Sequence, residues 1–236
     1  LTIAGIHEGM QKPIEDYIEM IRGMAGLDVL SLTLFGAIAA GTFDPKRHVV
    51  QNVLVLSKVD LEGLRRLAEH GGALGKQRIS APLVMTPEYI RDSLDAFPLE
   101  LLEIHQRHVT PLGEDYFRDL SFDAVHLRLQ CEREIKSVLI GMRQGLLASV
   151  GKDKVIAAIE VDVVGRLIRI FRGMLWLNGR KDGVPAEEAV SGVEGLLGRP
   201  LPGVRASLEP GGRDGWEGFR SLYGEVQSAG VYVERL

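Results

Sequence analysis

Residues 32–56 read LTLFGAIAAGTFDPKRHVVQNVLVL, and the reading of this stretch decides the fold. It carries the end of an apolar run that starts at Val29 and stops at Phe35-Gly36. A run of that length bounded by glycine predicts a β-strand over residues 29–35. The small-residue segment after Gly36 predicts a short helical start, and Gly41-Thr42-Phe43-Asp44-Pro45-Lys46 predicts a loop. Residues 49–56 form a second β-branched run, broken by the polar pair Gln51-Asn52. The two strands are expected to be neighbours in one sheet.

Working outward, Ile14, Tyr17, Ile18, Ile21 and Met24 recur at spacings of three and four, one face of a helix with Pro13 in its first turn and Gly26 beyond its end. Leu61, Leu64, Leu67 and Ala68 predict a short helix ending at Gly71-Gly72. A third strand is expected over residues 79–85, with Pro82 marking an edge or a bulge. Thr86 and Pro87 have the chemistry of a helix N-cap and first turn. Residues 99–104 predict a fourth strand, with Val109 continuing a hairpin.

The texture changes near residue 120, and we place a domain boundary at residues 117–122. Domains are expected over 1–119 and 120–236. A helix over 123–150 buries Leu127, Cys131, Ile135, Val138, Leu139, Met142 and Leu146, and Gly151 ends it. A second, over 152–177, carries Val155, Ile159, Val163, Leu167, Ile170, Met174 and Leu177 on its apolar positions. Pro185 opens a shorter helix through Val193 and Leu197. Pro200, Pro202, Pro210 and Gly211-Gly212 predict a loop, and a last helix contains Trp216, Phe219, Leu222, Tyr223 and Val226. The expected class is α+β: a small sheet with flanking helices, followed by an all-α bundle.

Composition narrows the function classes. The 236 residues are 45% hydrophobic and 25% charged, with a formal net charge of -4. That balance argues against a dedicated nucleic-acid binder. The one cysteine, Cys131, excludes an intramolecular disulfide and a Cys-rich zinc site, and suits a reducing compartment. No apolar run approaches the roughly 20 residues that span a bilayer, and no charged segment followed by an apolar one opens the chain. A cytoplasmic protein without membrane association is expected.

The 32–56 pattern resembles the nucleotidyltransferase fold of the DNA polymerase beta type. That family has a strand, Gly-Ser, a short helix, and a strand carrying Asp-x-Asp, with a third carboxylate on a later strand. Alternate strand residues share a face, so the two aspartates hold the same pair of Mg²⁺ ions. In this sequence Gly36 keeps the glycine, while Ala37 stands at the serine position and Val50 and Asn52 at the two aspartates. Glu100 falls at the third carboxylate. Valine and neutral asparagine do not supply the charge two divalent cations require, and a one-residue shift of register finds only Gln51. The stretches FPLELLEIHQRHVTPLGEDYF and LRLQCEREIKSVLIGMRQGLL are similar to bacterial proteins that join a nucleotidyltransferase-like domain to a helical one. Aminoglycoside nucleotidyltransferases and the minimal nucleotidyltransferases that partner HEPN helical proteins share this two-part design. The resemblance covers roughly residues 10–180. It implies that the helical domain closes one wall of a substrate cleft, where Arg166 and Arg169, at i and i+3, would bind an anion. Arg172 drifts around that helix, and Arg180 lies near its end.

Three readings follow. In the first, the chain is a catalytically degenerate homologue acting as a binding or regulatory module. Its relic cleft is then lined by Gly36, Ala37, Val50, Asn52, Arg166 and Arg169, with Glu100 as a relic of the acid set. It holds no metal, and its ligand is a nucleotide or another anionic small molecule. In the second, Glu100, Glu103 and Asp44 act as atypical acids in an active nucleotidyltransferase, the one case that calls for Mg²⁺. In the third, the protein is a structural or partner-binding homodimer. Other residues favour plain roles. If their segment is a strand, His105 and His108 fall on opposite faces of it, so a shared metal is not expected. Cys131 reads as a buried inert thiol. The pairs Arg128–Glu132 and Glu132–Lys136 read as helix-surface support. Gly71-Gly72-Ala73-Leu74-Gly75-Lys76 is expected to be a loop, without the Ser/Thr or the spacing of a phosphate loop.

Overall fold

A computed structural model describes residues 3, 5–209 and 215–236; Pro210, Gly211 and Gly212 of the expected loop lie outside them. The decisive stretch forms β1 (Val29–Phe35) and β2 (Gln51–Leu56), paired antiparallel with Leu34 opposite Asn52 and Phe35 opposite Gln51. β3 (Leu83–Met85) runs parallel to β2, and β4 (His108–Gly113) antiparallel to β1, giving the order β3-β2-β1-β4. Pro82 therefore precedes an edge strand, where a missing N–H disrupts no ladder.

Strand periodicity sorts the side chains. Leu32 and Leu34 of β1, with Val50, Leu54 and Leu56 from the second strand run, share a core with Ile14, Tyr17 and Ile21 of α1 (Glu8–Arg22). The alternate residues Ser31, Thr33, Val53 and Val55 are also buried, so this sheet is shielded on both faces. Gly113 has φ +78°, and a Cβ there would collide with the Leu30 carbonyl, so only glycine closes β4 onto β1. The helices α2 (Leu61–Glu69), α3 (Gly71–Lys76), α4 (Pro87–Asp92) and α5 (Pro98–Gln106) lie between the strands in sequence. Thr86 caps α4 through its hydroxyl, as its residue type requires.

The chain divides into two compact units, Leu1–Leu94 with Glu103–Ser121, and Asp95–Leu102 with Phe122–Leu236. The second contains α6 (Ala124–Ser149), α7 (Asp153–Leu177), α8 (Ala186–Leu197), α9 (Pro202–Leu208) and α10 (Trp216–Val233). Its core gathers Leu127, Cys131, Ile135, Val138 and Met142 of α6 with Leu167, Phe171 and Met174 of α7 and Leu222 and Val226 of α10. The fold is α+β, with a four-stranded sheet, flanking helices and a helical bundle. No helix among the described residues is long and apolar enough to cross a membrane.

Several local expectations are corrected. Residues 99–104 are helical in α5, not a strand, and the strand beside β1 is β4 further on. The segment after Gly36 is a series of turns rather than a helix, closed by Ala40 N–H to Gly36 O at 3.0 Å and Thr42 N–H to Ala37 O at 3.1 Å. The GGALGK segment is the short helix α3, and the loop expected after Pro200 contains α9. The third strand is confined to Leu83–Met85, with Ile79 making an isolated bridge to Val50.

Candidate functional site

The turn between β1 and β2 places Gly36, Ala37, Val50 and Asn52 within one unit. Gly36 has φ +73°, a conformation that suits glycine. The space a Cβ would take there is filled by the Gln51 carboxamide, which drapes over the glycine. Ala37 brings no hydroxyl. Val50 is fully buried in the core against α1, with its N–H donating to Arg78 O at 2.7 Å.

Asn52 is 1% exposed, and both ends of its amide are occupied. Its Oδ1 accepts from the Tyr17 hydroxyl at 3.1 Å, and its Nδ2 donates to Ser80 O at 3.0 Å. The Ser80 hydroxyl in turn donates to Val50 O at 3.0 Å. This is a closed, neutral hydrogen-bond chain running from α1 across β2. Burial pushes the Tyr17 phenol well above its usual range, so it stays a protonated donor. In the sequence Tyr17 reads only as part of an apolar helix face, and Ser80 carries no signal of its own. The available signal was a tyrosine on an apolar helix stripe, whose hydroxyl needs a partner when buried.

Glu100 lies in the second unit, on α5. Its Oε1 accepts from Arg169 Nη1 at 3.1 Å, and its Oε2 from Gln130 Nε2 at 2.6 Å. Gln130 Oε1 accepts from Leu99 N–H at 2.7 Å, so one amide caps α5 and steadies Glu100. Arg166 pairs with Glu134 at 3.0 Å. Each of these arginines is thus about one-third exposed and already faces a carboxylate. Arg166 also lines a groove of about 340 Å³ between α6 and α7, with Val138, Met142, Val155, Ile159 and Asp162. Arg172 donates to Val184 O at 3.0 Å, and Arg180 pairs with Glu188.

The remaining candidates have local partners. Asp44 Oδ1 accepts from Lys46 N–H at 2.9 Å within its own turn. Glu103 lies on α5. His108 faces Asp115 at 2.9 Å, whereas the Nδ1 of His105 lies 2.8 Å from Phe117 O. Cys131 is buried, and burial pushes its thiol up to about 12.

These residues do not fit a pair of divalent cations. Val50 has no donor atom, both polar atoms of Asn52 are engaged, and β4 (HVTPLG) carries no carboxylate. Among the described residues no group of three His, Cys, Asp or Glu side chains converges on a point.

The architecture is that of a nucleotidyltransferase-like fold. Among solved structures it is similar to spectinomycin adenyltransferase from Enterococcus faecialis, determined with ATP and spectinomycin, at a TM-score of 0.55. The match covers 95% of this chain and 96% of that one, at 10% sequence identity, so what the two share is the fold. No protein-family model and no curated protein matches the sequence.

Proposed function

We propose that this chain is a nucleotidyltransferase-fold protein that has left two-metal chemistry and acts as a binding or regulatory module. One observation carries the reading: Asn52, at an expected ligand position, is sealed between Tyr17 and Ser80. Two-metal transfer needs bridging carboxylates to offset the repulsion of ions about 4 Å apart. Val50 and Asn52 supply none. The neighbouring fold, in a structure with ATP, supports a nucleotide or similar anion as the ligand.

Such a ligand would be held without a bridging cation, by Arg166 and Arg169 exchanging carboxylate for phosphate. Guanidinium pairs directly with phosphate oxygens, and pairs that are one-third exposed exchange at small cost. A thermal-shift series with ATP, with and without Mg²⁺ and with excess chelator, tests the reading. The expected result is stabilisation that does not depend on Mg²⁺ and is lost in the Arg166→Ala/Arg169→Ala variant. Nucleotide turnover abolished by Glu100→Gln would overturn it. So would the absence of any stabilisation by nucleotides or phosphate compounds.

A further inference from the structure

Helix α6 has a second apolar stripe, opposite the one that builds the core. Its buried side is Leu127, Cys131, Ile135, Val138 and Met142. On the outer side Val125, Leu129, Ile140 and Leu147 are 60%, 43%, 52% and 81% exposed. Between them on the same face stand Arg133, Lys136 and Arg143, all exposed.

Residues 129, 133, 136, 140, 143 and 147 share one face of α6 and form a seam about 27 Å long. Three of these six positions are aliphatic and three cationic. No acid lies on the seam. Lys136 is held by Glu132 and by Glu234 at 3.1 Å. Among the described residues no carboxylate pairs with Arg133 or Arg143, and Arg143 Nε donates only to Leu139 O at 3.1 Å.

We infer that the outer face of α6 is a docking seam for an acidic amphipathic helix of another protein. The aliphatic side chains of this face pack against the apolar side of a partner helix, and Arg133 and Arg143 select carboxylates at the facing positions. Charge excludes a second copy. Antiparallel self-pairing, with Leu129 against Leu147, puts Arg133 opposite Arg143 in both halves, and parallel self-pairing puts each cation against itself. Four aliphatics without an aromatic, interrupted by cations, also make a poor face for burial in a lipid interface.

The probe is a synthetic helix with leucines at the seam positions and glutamates facing 133, 136 and 143. Its control has lysines in place of the glutamates. Binding to the full chain is followed by fluorescence anisotropy, with circular dichroism confirming that each variant is folded. The acidic probe should bind, the basic one should not, and Arg133→Glu/Arg143→Glu should weaken the acidic probe at least tenfold while admitting the basic one. Failure of the acidic probe to bind, or equal binding of both, overturns the inference. Concentration-dependent dimerisation abolished by Ile140→Glu would assign the seam to a second copy, and co-sedimentation with phosphatidylserine vesicles would assign it to a lipid surface. Either result overturns the inference. The inference is independent of the proposed function, so a failed nucleotide titration leaves it standing.

Discussion

The sheet of the first unit and the helices of the second dispose of buried polar atoms in opposite ways. In the sheet, neighbouring strands take up the main-chain donors and acceptors, and apart from the buried Ser31 hydroxyl the buried side-chain polar atoms pair with one another and with the ends of turns. Thr33 and Thr110 share a hydroxyl–hydroxyl bond at 2.9 Å, and Asn52 lies between Tyr17 and Ser80. These groups are neutral. In the bundle, every helix start leaves main-chain N–H groups without an intrahelical acceptor, and at α5 and α9 charged or amide side chains from other elements take them. Glu225, buried in α10, accepts from the N–H groups of Gly203 and Val204 at 2.8 Å each, and from the Ser221 hydroxyl at 2.9 Å. Glu194 accepts from Leu201 N–H at 2.8 Å, and Gln130 from Leu99 N–H. The difference teaches that a carboxylate has structural work in the helical unit and no place in the core of the sheet unit.

The largest effect tests how tightly the helical core is closed. With the Cys131 thiol pushed up to about 12 by burial, labelling of the folded protein at pH 8 should run about a thousandfold slower than labelling of the denatured chain. The pH dependence has a definite sign. Above about pH 9 the unfolded chain ionises this thiol while the folded chain keeps its proton, so stability falls as pH rises. Comparable labelling rates would show that the bundle opens readily.

Introducing charge into the sheet comes next. Asn52→Asp sets an acceptor against Ser80 O and buries an unpaired carboxylate, so urea denaturation should read a loss of about 4 kcal/mol at neutral pH. Stability should recover as pH falls, because the protonated acid can donate to Ser80 O. A variant of unchanged stability would break the comparison. Removing charge from the bundle is the converse. Glu225→Ala strands two helix donors and a hydroxyl, for about 3 kcal/mol by the same measurement, and Glu225→Gln should fall between it and the parent. The smallest change is Arg169→Ala, about 0.5 kcal/mol, since its pair with Glu100 is partly solvated. A loss beyond about 2 kcal/mol would show that this pair is a structural element rather than an exchangeable one.

The strands of residues 28–57 and the two long helices were legible because their apolar periods, two and near 3.6, run long enough to be unambiguous. Other elements were not, for a shared physical reason. Leu99, Leu101, Leu102 and Ile104 fit either period, and the acceptor on Leu99 N–H that fixes α5 comes from Gln130, 31 residues away. Pro200, Pro202 and the glycines suggested a loop where α9 forms, and that helix start is held by Glu225, more than twenty residues on. A cap supplied from another element leaves no local trace. β4 carries Pro111, and proline fits a strand only where its missing N–H is not needed. At the candidate site, the residue types at positions 36, 50, 52 and 100 are plain from the sequence, but the direction of their side chains is not. That Asn52 turns inward to Tyr17, and that Glu100 is clasped by Arg169 and Gln130, depends on contacts 28 to 69 residues apart.

On the reading proposed above, the sealing of Asn52 also bears on whether two-metal chemistry could be built on this scaffold by small steps. Placing one aspartate, at position 50 or 52, adds a buried negative charge with no cation to meet it, because a single acid does not retain a divalent pair. Each single step therefore lowers the stability of the sheet before it confers any activity. Both acids, a carboxylate on β4 and a shorter residue than Gln51 over Gly36 would have to arrive together with the metal. A designer seeking two-metal chemistry on this scaffold would have to rebuild the β1–β2 turn as a unit.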